Sequence, residues 1–422
     1  MNRGPWLPLL DGDLARQARE AVEEIAGELR RESAREASLA EGLAGQAVFF
    51  AYLARFSGEE EHLGLSERLL DQATDALVTV PMHAGLYSGF PGIAWAEQHL
   101  AAFLGFKDDP DDDAGREIDE AILETLDQSP WPESFDLIRG VTGLGVYALE
   151  RLPRSLARDC LERVVAHLMD LAEETPDGVT WFTPPDQLGP WALSTCPNGR
   201  YDLGAAHGTP AAIALLAEAG RLGILDSAGA SRLEEAVRWL LARKDEMGGA
   251  SCFASWVAPG APPVSARLAW CYGDAGIAAV LLHAARAAGR QDWEEEALEI
   301  AGRAAARPLE TSGVVDAGLC HGAFGLAHLF NRIYQATRED RFAVPARLWY
   351  EIGLRHLRRP GEGIGGFPVS RLEPDGTYTW QKDGGFLVGS AGVGLALLAA
   401  ISDQEPLWDR LLLIAIPPRI LL

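Results

Sequence analysis

An all-α toroid of seven inner and seven outer helices, with small β-hairpin excursions at one end, is the fold this sequence predicts. Three observations carry the prediction. A Gly-x-x-Gly element recurs along the 422 residues, at Gly42/Gly45, Gly89/Gly92, Gly140/Gly143, Gly273/Gly276, Gly322/Gly325 and Gly389/Gly392. A seventh copy at Gly208 carries Ala211 in place of its second glycine. Each copy leads into a run short of charge, and charged amphipathic segments fill the intervals between runs. Self-similarity of this kind marks a repeat architecture, and helices apolar on nearly every face belong inside a large core. Two concentric layers closed into a ring bury every inner helix, whereas an open solenoid needs polar caps at its ends.

Taken in order, the outer segments are 13–32, 62–77, 113–126, 155–173, 231–244, 292–306 and 344–357. The inner runs are 46–53, 93–96, 144–149, 211–216, 277–285, 326–330 and 393–401. The fifth outer segment shows the pattern well. Leu233, Ala236, Val237, Leu240 and Leu241 fall at i, i+3, i+4, i+7 and i+8, one helical face. Ser231 with Glu234 reads as a capping box at its start. Three long intervals, 176–203, 248–268 and 361–385, are rich in Gly, Pro, Thr and Trp, and hairpins are predicted around 178–183 and 377–380. Long excursions on a repeat scaffold tend to be functional. Trp181, Phe182, Trp191, Trp256, Phe367 and Trp380 in them are expected to wall a substrate cleft. The chain, 1–422, reads as a single α/α-barrel domain.

Composition narrows the function classes. A net charge of -24 argues against a nucleic-acid or anionic-membrane partner, both of which require Lys/Arg surface. Five sparse cysteines do not form a disulfide framework. The N-terminus lacks the apolar stretch of a signal peptide, and no segment approaches the ~20 apolar residues that span a bilayer. The run 411–416 is short and is broken by Pro417 and Pro418. A reduced, cytoplasmic protein is expected.

The turns that open the inner helices should gather at one end of the barrel. Just before the first glycine stand Glu41, Ser88, Arg139, His207, Tyr272, His321 and Val388. One residue earlier stand Ala40, Tyr87, Ile138, Ala206, Cys271, Cys320 and Leu387. Reactive side chains concentrate in repeats four, five and six. Two thiols at equivalent positions and one imidazole, Cys271, Cys320 and His321, suit zinc, and three protein ligands leave the fourth position open, as catalytic sites do. Two buried free cysteines beside a satisfied histidine are the other reading. His207 is placed for acid–base work near neutral pH, or is a turn histidine with a structural hydrogen bond. Asp136 either orients His207 or caps its own helix. Arg267 and Tyr272 flank Cys271, to hold an enolate or peptide carbonyl and to donate a hydrogen bond, or simply to pack at the barrel mouth.

Ala206-His-Gly208, Trp270-Cys-Tyr-Gly273 and Cys320-His-Gly322, set on seven Gly-rich helical repeats, resemble the lanthionine synthetase C-like family over essentially the whole chain. These are the cyclases that build thioether rings in lanthipeptides, and the length resembles that of a stand-alone cyclase. The resemblance implies Zn2+ on Cys271, Cys320 and His321, an acid–base pair of His207 and Asp136, and Arg267 and Tyr272 as further active-site members. It implies Michael addition of a peptide cysteine thiolate to dehydroalanine or dehydrobutyrine. The partners implied are a dehydrated precursor peptide with leader and core, a separate dehydratase and an exporter. Competing readings are a relative that binds or transfers a small thiol such as glutathione, a non-catalytic scaffold of a biosynthetic complex, and an α/α-barrel glycosidase, which would need two placed carboxylates.

Overall fold

In the computed structural model, the residues described are 5–32, 34, 36–105, 113, 115–245, 249–373 and 377–419. The excursion positions 248 and 374–376 and the extreme termini lie outside them. The outer helices are α1 (Gly12–Arg31), α3 (Glu60–Thr79), α5 (Arg116–Leu126), α7 (Ser155–Leu171), α10 (Ser227–Ala242), α12 (Gln291–Ala306) and α14 (Asp340–Ile352). The inner helices are α2 (Leu43–Ser57), α4 (Phe90–Leu104), α6 (Val141–Arg151), α9 (Thr209–Arg221), α11 (Asp274–Ala288), α13 (Ala323–Thr337) and α15 (Ser390–Ile401). A short α8 (Pro190–Thr195) belongs to the first excursion. Inner helices touch in the order α2, α4, α6, α9, α11, α13, α15 and back to α2, while α1 packs on α15. The ring is closed, as the sequence predicts.

Each inner helix starts at the first glycine of its repeat because the chain folds back there on itself. The amides of Leu43, Phe90, Val141, Ala323 and Ser390 donate to the carbonyls of Glu36, His83, Ser134, Asp316 and Asp383, seven residues earlier in each case. The second glycine admits a neighbouring repeat. A Cβ at Gly92 would lie 2.9 Å from Leu39 Cβ and 2.0 Å from the Leu86 carbonyl oxygen. In the fourth repeat Pro210 has no N–H to give, Ala211 N bonds to Gly208 O, and the turn that presents His207 is built differently.

The same turns are stitched to one another around the ring. Ala40 N donates to Tyr87 O (2.8 Å), Leu137 N to Ala206 O (3.2 Å) and Ala206 N to Cys271 O (3.3 Å). Cys271 N then donates to Cys320 O (3.3 Å), Cys320 N to Leu387 O (2.8 Å) and Leu387 N to Ala40 O (3.2 Å), which joins the seventh repeat to the first.

The excursions hold three two-stranded antiparallel sheets: β1 (Ala172–Thr175) with β2 (Gly178–Trp181), β3 (Tyr201–Asp202) with β4 (Trp256–Val257), and β5 (Val369–Leu372) with β6 (Tyr378–Gln381). The β3–β4 pair links two excursions that the sequence left separate. Helix α10 corrects another expectation. It begins one turn before Ser231, because Asp226 accepts the Gly229 amide (2.8 Å) and caps it, leaving Ser231 inside the helix.

Residues 408–416, all buried but for the exposed Arg410, run through the centre of the ring. Tyr87 Oη and Trp270 Nε1, from repeats two and five, donate to the carbonyls of Leu411 (2.7 Å) and Leu412 (3.0 Å). The segment is locked by Asp409, which pairs with Arg332 (2.7 Å) and His328 (2.9 Å) inside the core. Burial opposes a charge on Asp409, yet Arg332 and His328 hold its carboxyl below the usual range. Removing one partner of a buried pair strands the others without water. Asp409→Ala should therefore lower the unfolding free energy by about 3–5 kcal/mol, read by urea denaturation. A variant as stable as the parent would show that the lock contributes nothing.

Candidate active site

At the end of the ring where the turns meet, one ligand atom from each of Cys271, Cys320 and His321 lies within 4.8 Å of the other two. The backbone bond from Cys271 N to Cys320 O makes this proximity unavoidable, because it sets equivalent positions of adjacent repeats side by side. Gly273 lets the chain turn sharply after Cys271. Its φ of +147° with ψ of 166° is a conformation that side-chain-bearing residues avoid. Cys271 is buried, whereas Cys320 and His321 are partly exposed, so the cluster is accessible from one side.

The set fits a soft divalent metal on two counts. His321 Nδ1 is buried without a hydrogen-bond partner among the described residues, a condition that buried polar atoms seldom tolerate. The two thiols also behave as a ligand pair in waiting. A hydrogen bond from Cys320 holds Cys271 well below the ordinary thiol range, against burial and with help from His321 and Arg267. Cys320, in turn, is pushed well above that range by the same hydrogen bond and by burial. The hydrogen bond between the sulfurs thus favours the thiolate on Cys271, and a thiolate is the form that binds metal. Cys160 and Cys252 stand apart, their thiols pushed up to about 12 by burial and by the carboxylates of Asp119 and Asp274.

His207 sits in the neighbouring repeat, and its Nδ1 meets Asp136 Oδ2 at 2.6 Å. Asp136 serves both roles that the sequence left open. Its Oδ1 accepts the amides of Arg139 (2.8 Å) and Gly140 (3.0 Å), which fixes the turn, and its Oδ2 takes the histidine. Burial alone would pull the His207 pKa down, but the hydrogen bond and charge of Asp136, with Asp202 and Cys271 nearby, raise it above the ordinary value. Burial likewise would raise Asp136, yet His207 and the two turn amides hold it low. With Nδ1 engaged, Nε2 is the nitrogen left to move a proton.

Tyr272 stacks on the His207 ring, with centroids 5.9 Å apart and planes at 25°. Its hydroxyl donates to Asp202 Oδ1 (2.7 Å) and accepts from Arg200 Nη2 (3.1 Å). Thr183 Oγ1 donates to Asp202 Oδ2 (3.0 Å), and the Arg200 guanidinium lies 4.5 Å above the Trp256 ring. Arg267 is partly exposed, and its charge lowers both cluster thiols.

Asp202 and Arg200 were missed in the sequence, although a signal existed. Asp202 stands six residues before Gly208, as Arg267 stands six before Gly273. The cleft-wall expectation holds only in part. Trp181, Trp256 and Phe367 fold back and are buried, while Trp191 and Trp380 are exposed.

Comparison with known proteins agrees with the architecture. The family model described as Lanthionine synthetase C-like protein matches residues 33–413. The nisin biosynthesis protein NisC of Lactococcus lactis subsp. lactis is 24% identical over 339 residues, covering 73% of this chain and 77% of that protein. A solved structure titled nisin cyclase superposes with a TM-score of 0.74 at 20% identity, covering 96% of this chain and 98% of that one.

The His207–Asp136 pair yields a pH prediction. A raised His207 pKa stabilises the fold below the unfolded histidine value and loses that effect as pH rises through the folded one; a lowered Asp136 pKa does so above the unfolded carboxylate value and loses it as pH falls. The pair is therefore most effective between roughly pH 4 and 6.5. Asp136→Asn should lower the His207 pKa, followed by NMR titration of the ring protons. An unchanged midpoint would mean that the carboxylate does not set it.

Proposed function

The chain belongs to the lanthionine synthetase C-like family, and from that premise we propose that it is a zinc-dependent lanthipeptide cyclase. Its reaction joins a cysteine thiol to a dehydroalanine or dehydrobutyrine of the same peptide, forming a lanthionine or methyllanthionine ring. The observation that carries the reading is the placement of the Cys271/Cys320/His321 cluster beside the His207–Asp136 pair at one end of the ring. The two nisin-associated relatives support the substrate class.

Zinc held by Cys271, Cys320 and His321 would act as a Lewis acid that keeps a substrate thiol deprotonated near neutral pH. The chain's own residues do the rest. Asp136 holds His207 Nδ1 and favours the charged form of the ring, and Nε2–H is the proton to be delivered. When the substrate sulfur adds to the β-carbon, the electron pair of the C=C bond moves into an enolate, and His207 gives its proton to the α-carbon. The thiol proton has been released, so the sum is addition of S–H across the double bond. Arg267 carries the positive charge suited to the enolate oxygen. The Tyr272 hydroxyl is committed to Asp202, so this residue holds the His207 ring by its face. Among the described residues no helix is long and apolar enough to cross a membrane, and the substrate reaches the site after a separate dehydratase has acted.

Elemental analysis should find about one zinc per chain, with Cys271→Ala or Cys320→Ala losing it, since a catalytic site holds its metal with only three protein ligands. Full zinc in Cys320→Ala would remove the site. His207→Ala should keep zinc and fold while cyclisation, read as loss of alkylatable thiol in a dehydrated peptide, falls by about 10²–10⁴. Wild-type rates in that variant would return His207 to a structural role.

A further inference from the structure

One large aromatic side chain near this site lacks a structural role. Trp191, on α8 of the first excursion, is 66% exposed, although tryptophan is among the side chains most often covered. It is not loosely placed. Its indole meets Trp256 edge-on, with centroids 5.8 Å apart and planes at 80°. Trp256, 5% exposed, meets Tyr272 in the same way at 6.4 Å, and Tyr272 stacks on His207. An unbroken file of rings runs from solvent to the imidazole in three steps.

The file rests on a rigid base. Trp256 is paired with Asp202 across β3 and β4 and lies under the Arg200 guanidinium. The stem of the excursion is clamped where Thr183 and Arg200 exchange backbone bonds of 2.8 and 3.0 Å. The carbonyl of Trp191 accepts Ser194 Oγ (2.7 Å) and Thr195 Oγ1 (3.1 Å), which fixes the short helix.

We infer that Trp191 is a substrate-binding residue that receives an apolar side chain of the peptide about three to five residues away from the reacting dehydro residue, the reach that an extended chain needs to cover the file. This rests on the proposed cyclase reading, because that reading places the substrate at His207. A rigid, two-torsion aromatic binds apolar groups with little entropy loss, and one at the solvent end of a file that leads to the acid favours peptides with an apolar residue at that distance from the reacting one.

The test uses dehydrated peptides with one dehydroalanine and a single Leu or Asp placed about three to five residues from it, in a reactive form with cysteine and an unreactive form with serine. The zinc-loaded wild-type chain should bind the unreactive Leu peptide at least about tenfold more tightly than the Asp peptide. Trp191→Ala should erase that ratio, Trp191→Phe should keep most of it, and zinc content should not change in either. Equal binding of both peptides by the wild type, or a ratio unchanged in Trp191→Ala, overturns the inference. The reactive forms separate the two readings. Trp191-dependent binding without cyclisation would keep the subsite and sink the cyclase, while cyclisation indifferent to Trp191 would do the reverse.

Discussion

The ring of backbone hydrogen bonds at the mouth of the barrel is the constraint on which the rest depends. Each repeat turns back on itself; backbone bonds join the first repeat to the second, then run from the third through Cys271 and Cys320 to Leu387 and back to Ala40. Buried backbone groups must be paired, and here the pairing also fixes which side chains meet. Equivalent positions in adjacent repeats become neighbours whatever residues occupy them. At most junctions the occupants are apolar, as with Ala40, Tyr87 and Leu387, and the contact is packing alone. At the junction of the fifth and sixth repeats both are cysteine, and the same geometry yields a ligand pair.

Electrostatics at the mouth follow from that placement. Asp136 and Asp202 approach His207 from different elements, one through a direct bond and one through Tyr272, so a single set of contacts holds the imidazole in position and raises its pKa. The overall acidity of the chain plays no part in this. Two buried carboxylates, each with its hydrogen bonds satisfied, do the local work.

Much of this was readable before any coordinates. The six glycine pairs and the seventh copy at Gly208 fixed the element count, and alignment on the first glycine brought Cys271, Cys320 and His321 together in one column set, because a repeat converts spacing directly into position. What escaped notice was held by contacts between segments distant in sequence. Asp202 is defined by Thr183, Arg200 and Tyr272, which lie at the two ends of the first excursion and in the turn before α11, and no local pattern joins all three. The start of α10 was misplaced because Ser231/Glu234 and Asp226 both carry capping chemistry, and only the packed structure shows which one is used. The burial of Trp181 and Phe367 had the same cause, since composition does not tell which way an aromatic on a loop will turn.

The segment 408–416 that fills the centre lies C-terminal to all seven repeats and is therefore synthesised after them. Its carbonyls hold Tyr87 and Trp270, and Trp270 directly precedes Cys271. While a ribosome is still extending the sixth and seventh repeats, the interior that these residues occupy is hollow and its apolar lining wet. The backbone bond between their turns brings the two sulfurs together, but the Trp270 ring behind Cys271 meets its carbonyl partner only once 408–416 has been made. The filling of the ring is therefore the last part of the core to be supplied.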